Sequence, residues 1–212
     1  VGHSFKSDSW RQFSEVANQG LDKLIEYYKP NGGTFIITPE DNTQEKVDAK
    51  MRTVKIDGHG TFKVRVIGEA HDTLASDENK TAALTFEFVD IVDDAVAYNQ
   101  KFPSSQSSTI SDYKTTLMHD YCNNMLFNKL PDELQNIIQP VKKTTICCHV
   151  EPIVNFYECI TDEKIFPLSV NEMGFPAGYQ SGVEGSTYEY YLSRNTENDY
   201  IKYFYIICHF LF

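Results

Sequence analysis

The segment Val54-Lys55-Ile56-Asp57-Gly58-His59-Gly60-Thr61-Phe62-Lys63-Val64-Arg65-Val66 reads as two extended arms around a glycine-rich link. Phe62, Val64 and Val66 alternate with Lys63 and Arg65, which turns one strand face to a core and the other to water. The glycines supply the positive φ angles of a tight turn, so the segment is a β-hairpin. Leu84, Phe86 and Phe88 alternate in the same way and add a strand ending at Asp90. Upstream, Ser7-Asp8-Ser9 precedes Trp10, Phe13, Val16, Ala17, Gly20, Leu21, Leu24 and Tyr28, the spacing of one capped amphipathic helix. Lys29-Pro30-Asn31-Gly32-Gly33 stops it, and residues 34–38 read as a short strand. Residues 40–50, 70–80 and 100–109 are polar and read as loops.

Further along, Ile110, Tyr113, Leu117, Tyr121 and Met125 recur at helical spacing. Pro131, Asp132 and Glu133 open a short helix with Leu134, Ile137 and Ile138 on its apolar side, and Pro140 ends it. Residues 141–150 and 153–160 look extended. Helices and strands mix without a βαβ rhythm, a repeat or a linker. The expectation is one α+β domain over 1–212, with an antiparallel or mixed sheet and two to three helices. The expected core is Trp10, Phe13, Leu24, Val64, Val66, Phe86, Phe88, Leu117, Leu134, Ile137 and Phe166.

The 212 residues are 41% hydrophobic and 23% charged, enough apolar material for a core. Nineteen Lys and Arg against thirty Asp and Glu give a net charge of −11, which argues against binding nucleic acid or anionic membranes. Residues 1–9 are polar, so no signal peptide is visible there. No apolar run reaches the ~18 residues of a membrane span. Residues 200–212 are rich in aromatic and β-branched side chains. They read as an extended segment, at least half buried, that a folded chain must cover.

Five cysteines, at 122, 147, 148, 159 and 208, are not a disulfide framework, although one bridge is compatible with an oxidising compartment. Most of them read as small core residues. Cys147, His149, His119 and Cys122 lack the chelating spacing of a zinc site, and Asp90, Asp93 and Asp94 lack that of a calcium loop. No metal or other cofactor is expected. No Gly-x-Ser-x-Gly elbow is present, and the spacing of Glu184 and Glu189 does not fix a glycosidase pair. The most suggestive group is Tyr179, Tyr188, Tyr190 and Tyr191 around a glycine-rich loop. Exposed, they would suit stacking on a sugar or contact with a protein. Otherwise Tyr188 and Tyr190 face the core and Tyr191 covers an edge.

The run Asp162-Glu163-Lys164-Ile165-Phe166-Pro167-Leu168-Ser169, then Glu172, then Glu184-Gly185 and Tyr188-Glu189-Tyr190-Tyr191, resembles the bacterial and phage family called domain of unknown function 6273. Leu130-Pro131-Asp132-Glu133-Leu134, Val141-Lys142-Lys143-Thr144, Val64 to Gly68 with His71-Asp72, and Leu84 to Asp90 are similar as well. The likeness runs from about residue 10 to 195, and residues 196–212 are an atypical aromatic tail. Two departures stand out: no Trp precedes the central helix, and the family's closing Trp-x-Arg-Ser-Pro-like step is replaced by the tail. Part of the family fold is then expected to be missing or substituted by that tail. The element order is reminiscent of C-type-lectin-like folds, an analogy at fold level. The resemblance implies a non-enzymatic binding or structural module at a bacterial surface or in a phage or prophage particle, with a glycan or protein ligand. The rivals are a hydrolase with an acidic cleft and a truncated, inactive member.

Overall fold

The computed structural model describes residues 3–93, 96–98, 112–149, 155–175, 184–192, 194 and 208–211. The α-helices are α1 (Trp10–Ala17), α2 (Leu21–Tyr28), α3 (Gln44–Ala49), α4 (Leu117–Asp120), α5 (Asp132–Gln135) and α6 (Glu189–Leu192). The strands are β1 (Met51–Ile56), β2 (Gly60–Glu69), β3 (Thr73–Leu74), β4 (Asp77–Thr81), β5 (Leu84–Phe88), β6 (Val141–His149), β7 (Asn155–Glu163), β8 (Ile165–Pro167) and β9 (Cys208–Leu211). One sheet runs β1-β2-β5-β9-β8 and the other β4-β3-β6-β7. Every strand pairing among the described residues is antiparallel. The fold is α+β, with more and shorter helices than the periodicity predicts.

The hairpin forms as its sequence demands. Val54 pairs with Phe62 and Ile56 with Gly60, while Gly58 (φ 73°) and Gly60 (φ 106°) turn the chain. Val64 and Val66 are buried and Phe62 packs its edge on Phe88. After Val66 the register against β5 slips, so that Gly68 rather than Ile67 faces Thr85. Ile67 is buried too, which breaks the simple alternation. All of β5 is buried, Thr85 and Glu87 included, because both of its faces are covered: Phe86 packs on Trp10 and Phe13, and Thr85 and Glu87 bond to Asp72 and Tyr191 on the other side.

Ser9 caps α1 reciprocally: its Oγ accepts from Gln12 N–H at 3.1 Å, and its own N–H donates to Gln12 Oε1 at 3.0 Å. The predicted single helix breaks at Gly20 (φ 101°), so α1 and α2 pack as a pair. Two expected loops are ordered. Thr43 caps α3 within 40–50, and β3 and β4 occupy most of 70–80. Both are too polar or too short to show periodicity. Among the described residues, 34–38 form a single parallel bridge, Ile36 to Val66, rather than a strand.

The central helix departs from a uniform 3.6-residue repeat. A 3₁₀ turn at Tyr113–Thr115, α4, a π turn at Tyr121–Leu126 and a 3₁₀ turn at Phe127–Lys129 follow one another. Each change of pitch rotates the apolar face. Met118, Tyr121, Cys122 and Leu126 are therefore buried, whereas Leu117 is half-buried and Met125 is 53% exposed. Of the expected core, only Leu117 and Ile137 are not fully buried.

Phe86 lies at the centre of the larger core, within ring contact of Phe5, Trp10 and Phe13, the last at 5.9 Å. Phe86→Ala is expected to cost about 3–5 kcal/mol in urea unfolding. A cost near zero would contradict this packing.

The tail contains the expected strand. Residues Cys208–Leu211 pair with both β5 and β8, Phe210 standing opposite Phe86 and Ile165. Its side-chain burial lies outside the described residues. Cys147 and Cys159 form a disulfide with Cα atoms 6.0 Å apart, which corrects their reading as core thiols. They are diagonal neighbours across β6 and β7, where Thr145 stands opposite Cys159.

Candidate functional site

Next to β6 a cleft of about 210 Å³ opens against the turn after β8. Tyr98, Tyr113, Thr144, Thr145, Leu168 and Glu184 line it, with Lys143, Phe166, Ser169 and Glu172 also on its wall. Tyr98 is 50% exposed. Thr145 Oγ1 is buried with no hydrogen-bond partner among the described residues. Glu184 Oε1 accepts from the Ile146 N–H at 2.7 Å. Burial pushes the Glu184 carboxyl above its ordinary value, and Glu172 nearby adds to the shift.

Lys143 lies deeper. Its Nζ donates to Glu172 Oε1 and lies 3.3 Å from Asp72 Oδ1 and 3.0 Å from the Tyr188 hydroxyl. It also sits 4.2 Å from the centre of the Phe166 ring. Tyr188 O–H donates to Asp72 (2.8 Å to Oδ2), which also accepts from Thr85 Oγ1 at 2.7 Å. Ser169 N–H donates to Glu172 Oε2 at 2.9 Å. Burial would favour neutral Lys143, but Glu172 and Asp72 outweigh it and raise its pKa. Burial likewise opposes ionisation of Asp72, but Lys143, Thr85, His71 and Tyr188 hold its carboxyl below the ordinary value. Burial, with Asp72 and Glu172, raises the Tyr188 hydroxyl well above its ordinary range. The lysine is thus a structural cation enclosed by acceptors.

Two glycines make room for this network. A Cβ on Gly68 would lie 2.8 Å from the Tyr188 ring. Gly185 has φ +72°, and a Cβ there would lie 2.6 Å from Glu172 Oε1. Gly68→Ala is expected to displace Tyr188 and lower the melting temperature by several degrees. An unchanged melt would show that the ring has slack.

Of the tyrosines singled out from the sequence, the described ones do not form an exposed platform. Tyr188, Tyr190 and Tyr191 are buried, and Tyr179 lies outside the described residues. Their hydroxyls and ring faces are used internally. Tyr191 O–H donates to buried Glu87, which Arg65 holds at 2.6 Å, and Tyr190 lies under the Arg65 and Arg194 guanidinium groups at 4.3 and 3.6 Å. Of the tyrosines that line the cleft, Tyr98 carried no local signal beyond its residue type, and Tyr113 entered only as an apolar position of the central helix.

The other candidates are dispersed. His119 lies 3.2 Å from Glu163, whose second oxygen accepts from Asn123 at 2.5 Å. Cys122 is buried against the Met118 sulfur, and Cys147 is in the disulfide. The side chain of His149 lies outside the described ones. Asp93 accepts from Tyr121 O–H at 3.2 Å and lies 3.3 Å from His59; Asp94 lies outside the described residues. Among the described residues, Asp112 joins Cys147 and Cys159 in one group of close donor atoms, but both sulfurs are committed to the disulfide. Glu184 lines the cleft, whereas Glu189 pairs with His71. Among the described residues no helix is long and apolar enough to cross a membrane.

The steps that carried the family resemblance therefore converge in space. His71-Asp72, Lys143, Phe166, Ser169, Glu172, Gly185 and Tyr188 build one buried network under one cleft. No curated protein and no solved structure matches the chain. The model of a family described as a domain of unknown function (DUF6273) matches residues 88–208, more than half of the length, and the chain belongs to that family.

Proposed function

We propose that this protein is a binding module and that the cleft beside β6 holds one sugar ring of a glycan. The observation that carries this reading is the cleft's lining: the Tyr98 and Tyr113 side chains, the Glu184 carboxylate, and a Thr145 hydroxyl with no hydrogen-bond partner among the described residues. An aromatic face suits the C–H face of a sugar, and a carboxylate with a hydroxyl suits its O–H groups. The volume of about 210 Å³ lies below the roughly 300–1,000 Å³ of sites for drug-sized ligands, which favours a single ring or side chain. Lys143 and Glu172 add rigidity to the wall without offering free valences for catalysis, since both are engaged with each other and with further partners. An acidic-cleft hydrolase built on Glu172 and Glu184 is disfavoured for the same reason. The Cys147–Cys159 disulfide supports a location outside the reducing cytoplasm, such as a cell surface or a virion.

A glycan array followed by calorimetry tests the reading. Binding is expected to weaken at least about tenfold, ~1.4 kcal/mol, in Tyr98→Ala and in Glu184→Gln. It should be unchanged in Tyr27→Ala, an exposed tyrosine of α2. Affinity should fall on acidification, beginning above pH 4.5, because the Glu184 carboxyl protonates above that ordinary value. A peptide ligand with no glycan binding, or glycan binding that both variants retain, would overturn it.

A further inference from the structure

We propose that Ser186, His71 and Glu189 form a nucleophile–base–acid triad that hydrolyses small acyl esters. Ser186 Oγ lies 3.0 Å from His71 Nε2, and His71 Nδ1 lies 3.1 Å from Glu189 Oε1. This is the order of contacts that serine acyl transfer requires: the seryl hydroxyl on one ring nitrogen, the orienting carboxylate on the other. The residues come from the turn after β2, the glycine-containing turn before α6, and α6 itself. No sequence elbow announces them, because the site is assembled only in three dimensions.

The surroundings hold the three groups in place. Ser186 is exposed, but its neighbours are clamped. Asn171 Nδ2 donates to Gly185 O at 2.5 Å, Thr187 Oγ1 donates to Asn171 O at 2.8 Å, and Tyr188 N–H donates to Glu172 O at 3.0 Å. The His71 ring stacks on Tyr188 at 4.1 Å, and Tyr188 is itself fixed by Asp72 and Lys143. A hydroxyl that is open to solvent on a hydrogen-bonded turn, facing an imidazole stacked on Tyr188, is preorganised for attack. Burial alone would lower the basicity of His71. The Glu189 hydrogen bond and the charges of Asp72 and Glu189 outweigh burial and Lys143, so His71 is a stronger base than an ordinary histidine.

The chemistry closes on these groups and water. Ser186 Oγ bonds to the acyl carbon as its proton moves to His71 Nε2, and Glu189 stabilises the imidazolium through Nδ1–H. The carbon–alkoxide bond then breaks, and His71 returns the proton to the leaving alcohol. Water attacks the acyl-serine with His71 again as base. The carboxylic acid leaves and Ser186 regains its proton. In such sites the N–H after the nucleophile donates to the oxyanion, and here that position is Thr187. Esters are the expected acyl class, because the exposed position of Ser186 suits a small group with a good leaving alkoxide. The proposal does not depend on what the cleft binds.

The test is reaction of the intact protein with a fluorophosphonate probe, mapped by peptide mass, alongside turnover of p-nitrophenyl acetate. The probe is expected on Ser186 and absent from that peptide in Ser186→Ala, whose exposed position leaves the melt unchanged. Glu189→Gln should slow labelling at least about tenfold, and Glu189→Asp should recover part of it. The labelling rate should rise with pH through a midpoint above about 6.5, as His71, facing Glu189, Asp72, Lys143 and Tyr188, loses its proton. No adduct at Ser186, or an adduct whose rate is the same in Glu189→Gln, would overturn the proposal.

Discussion

Lys143→Met is expected to destabilise the protein by about 3–5 kcal/mol at neutral pH, because it leaves Asp72 and Glu172 buried without their cation. Nearly isosteric Met keeps the packing on Phe166 and removes the charge together with its N–H donors to Glu172, Asp72 and Tyr188. The loss should shrink in Lys143→Met combined with Asp72→Asn and Glu172→Gln, where no uncompensated charge remains. The pH dependence follows from the same groups. Asp72 has a folded value below its ordinary 3.8, so its contribution is full above that pH and is lost as pH falls through the folded value. Lys143 has a folded value above its ordinary 10.5, so its contribution is full below that pH and is lost as pH rises through the folded value. The contributions of Asp72 and Lys143 should therefore be flat between those limits, while that of His71, whose folded value lies above its ordinary 6.5, is full below that pH and is lost as pH rises through the folded value. Urea unfolding of the single and triple variants measures the effect. A single variant as stable as the parent would mean that the cation is dispensable.

A chain ending at Asp199 is expected not to fold. Strand β9 lies between β5 and β8, not at an edge of the sheet. Removing it takes away the partners of Thr85, Phe86 and Glu87 on one side and of Ile165, Phe166 and Pro167 on the other. Fully buried β5 would gain an open edge, with unpaired backbone groups and exposed apolar side chains. The loss should exceed the roughly 5–15 kcal/mol by which domains are stable, so the shortened chain should be unfolded or aggregated. Circular dichroism and gel filtration read this directly. A monomer with the parent melting temperature would make the tail an appendage.

The hairpin of β1 and β2, strand β5, the Ser9 cap and the strand in the tail were legible because each is a local pattern. Alternation, a cap or a β-prone run needs only neighbours in sequence to be recognised. The split at Gly20 and the phase of the central helix were not legible. Periodicity cannot show where pitch changes, and the π turn at Tyr121–Leu126 moves burial from Met125 to Leu126. Helix α3 escaped because its residues are polar and its stability rests on the Thr43 cap.

The site was legible only in part. Lys143, Glu172, Glu184 and Tyr188 stood out through the family-like steps, but their meeting with Asp72 depends on how two sheets are placed. Whether Tyr188 and Tyr191 face the core or the surface stayed open in the sequence, because a tyrosine's residue type does not reveal whether its hydroxyl has a buried acceptor. Asp72 and Glu87 supply those acceptors here. The Cys147–Cys159 bridge needed the β6–β7 register, which the spacing of two cysteines does not contain.

The central claim is that the cleft over the Lys143 network is the ligand site. Backbone amide resonances followed through a titration with the sugar selected on the array test it most directly. The account predicts shifts confined to Thr144, Thr145, Leu168, Ser169 and Glu184, with Val16, Gln19 and Lys23 of the α1–α2 groove unmoved. Shifts centred on that groove, with the β6 cleft silent, would contradict it.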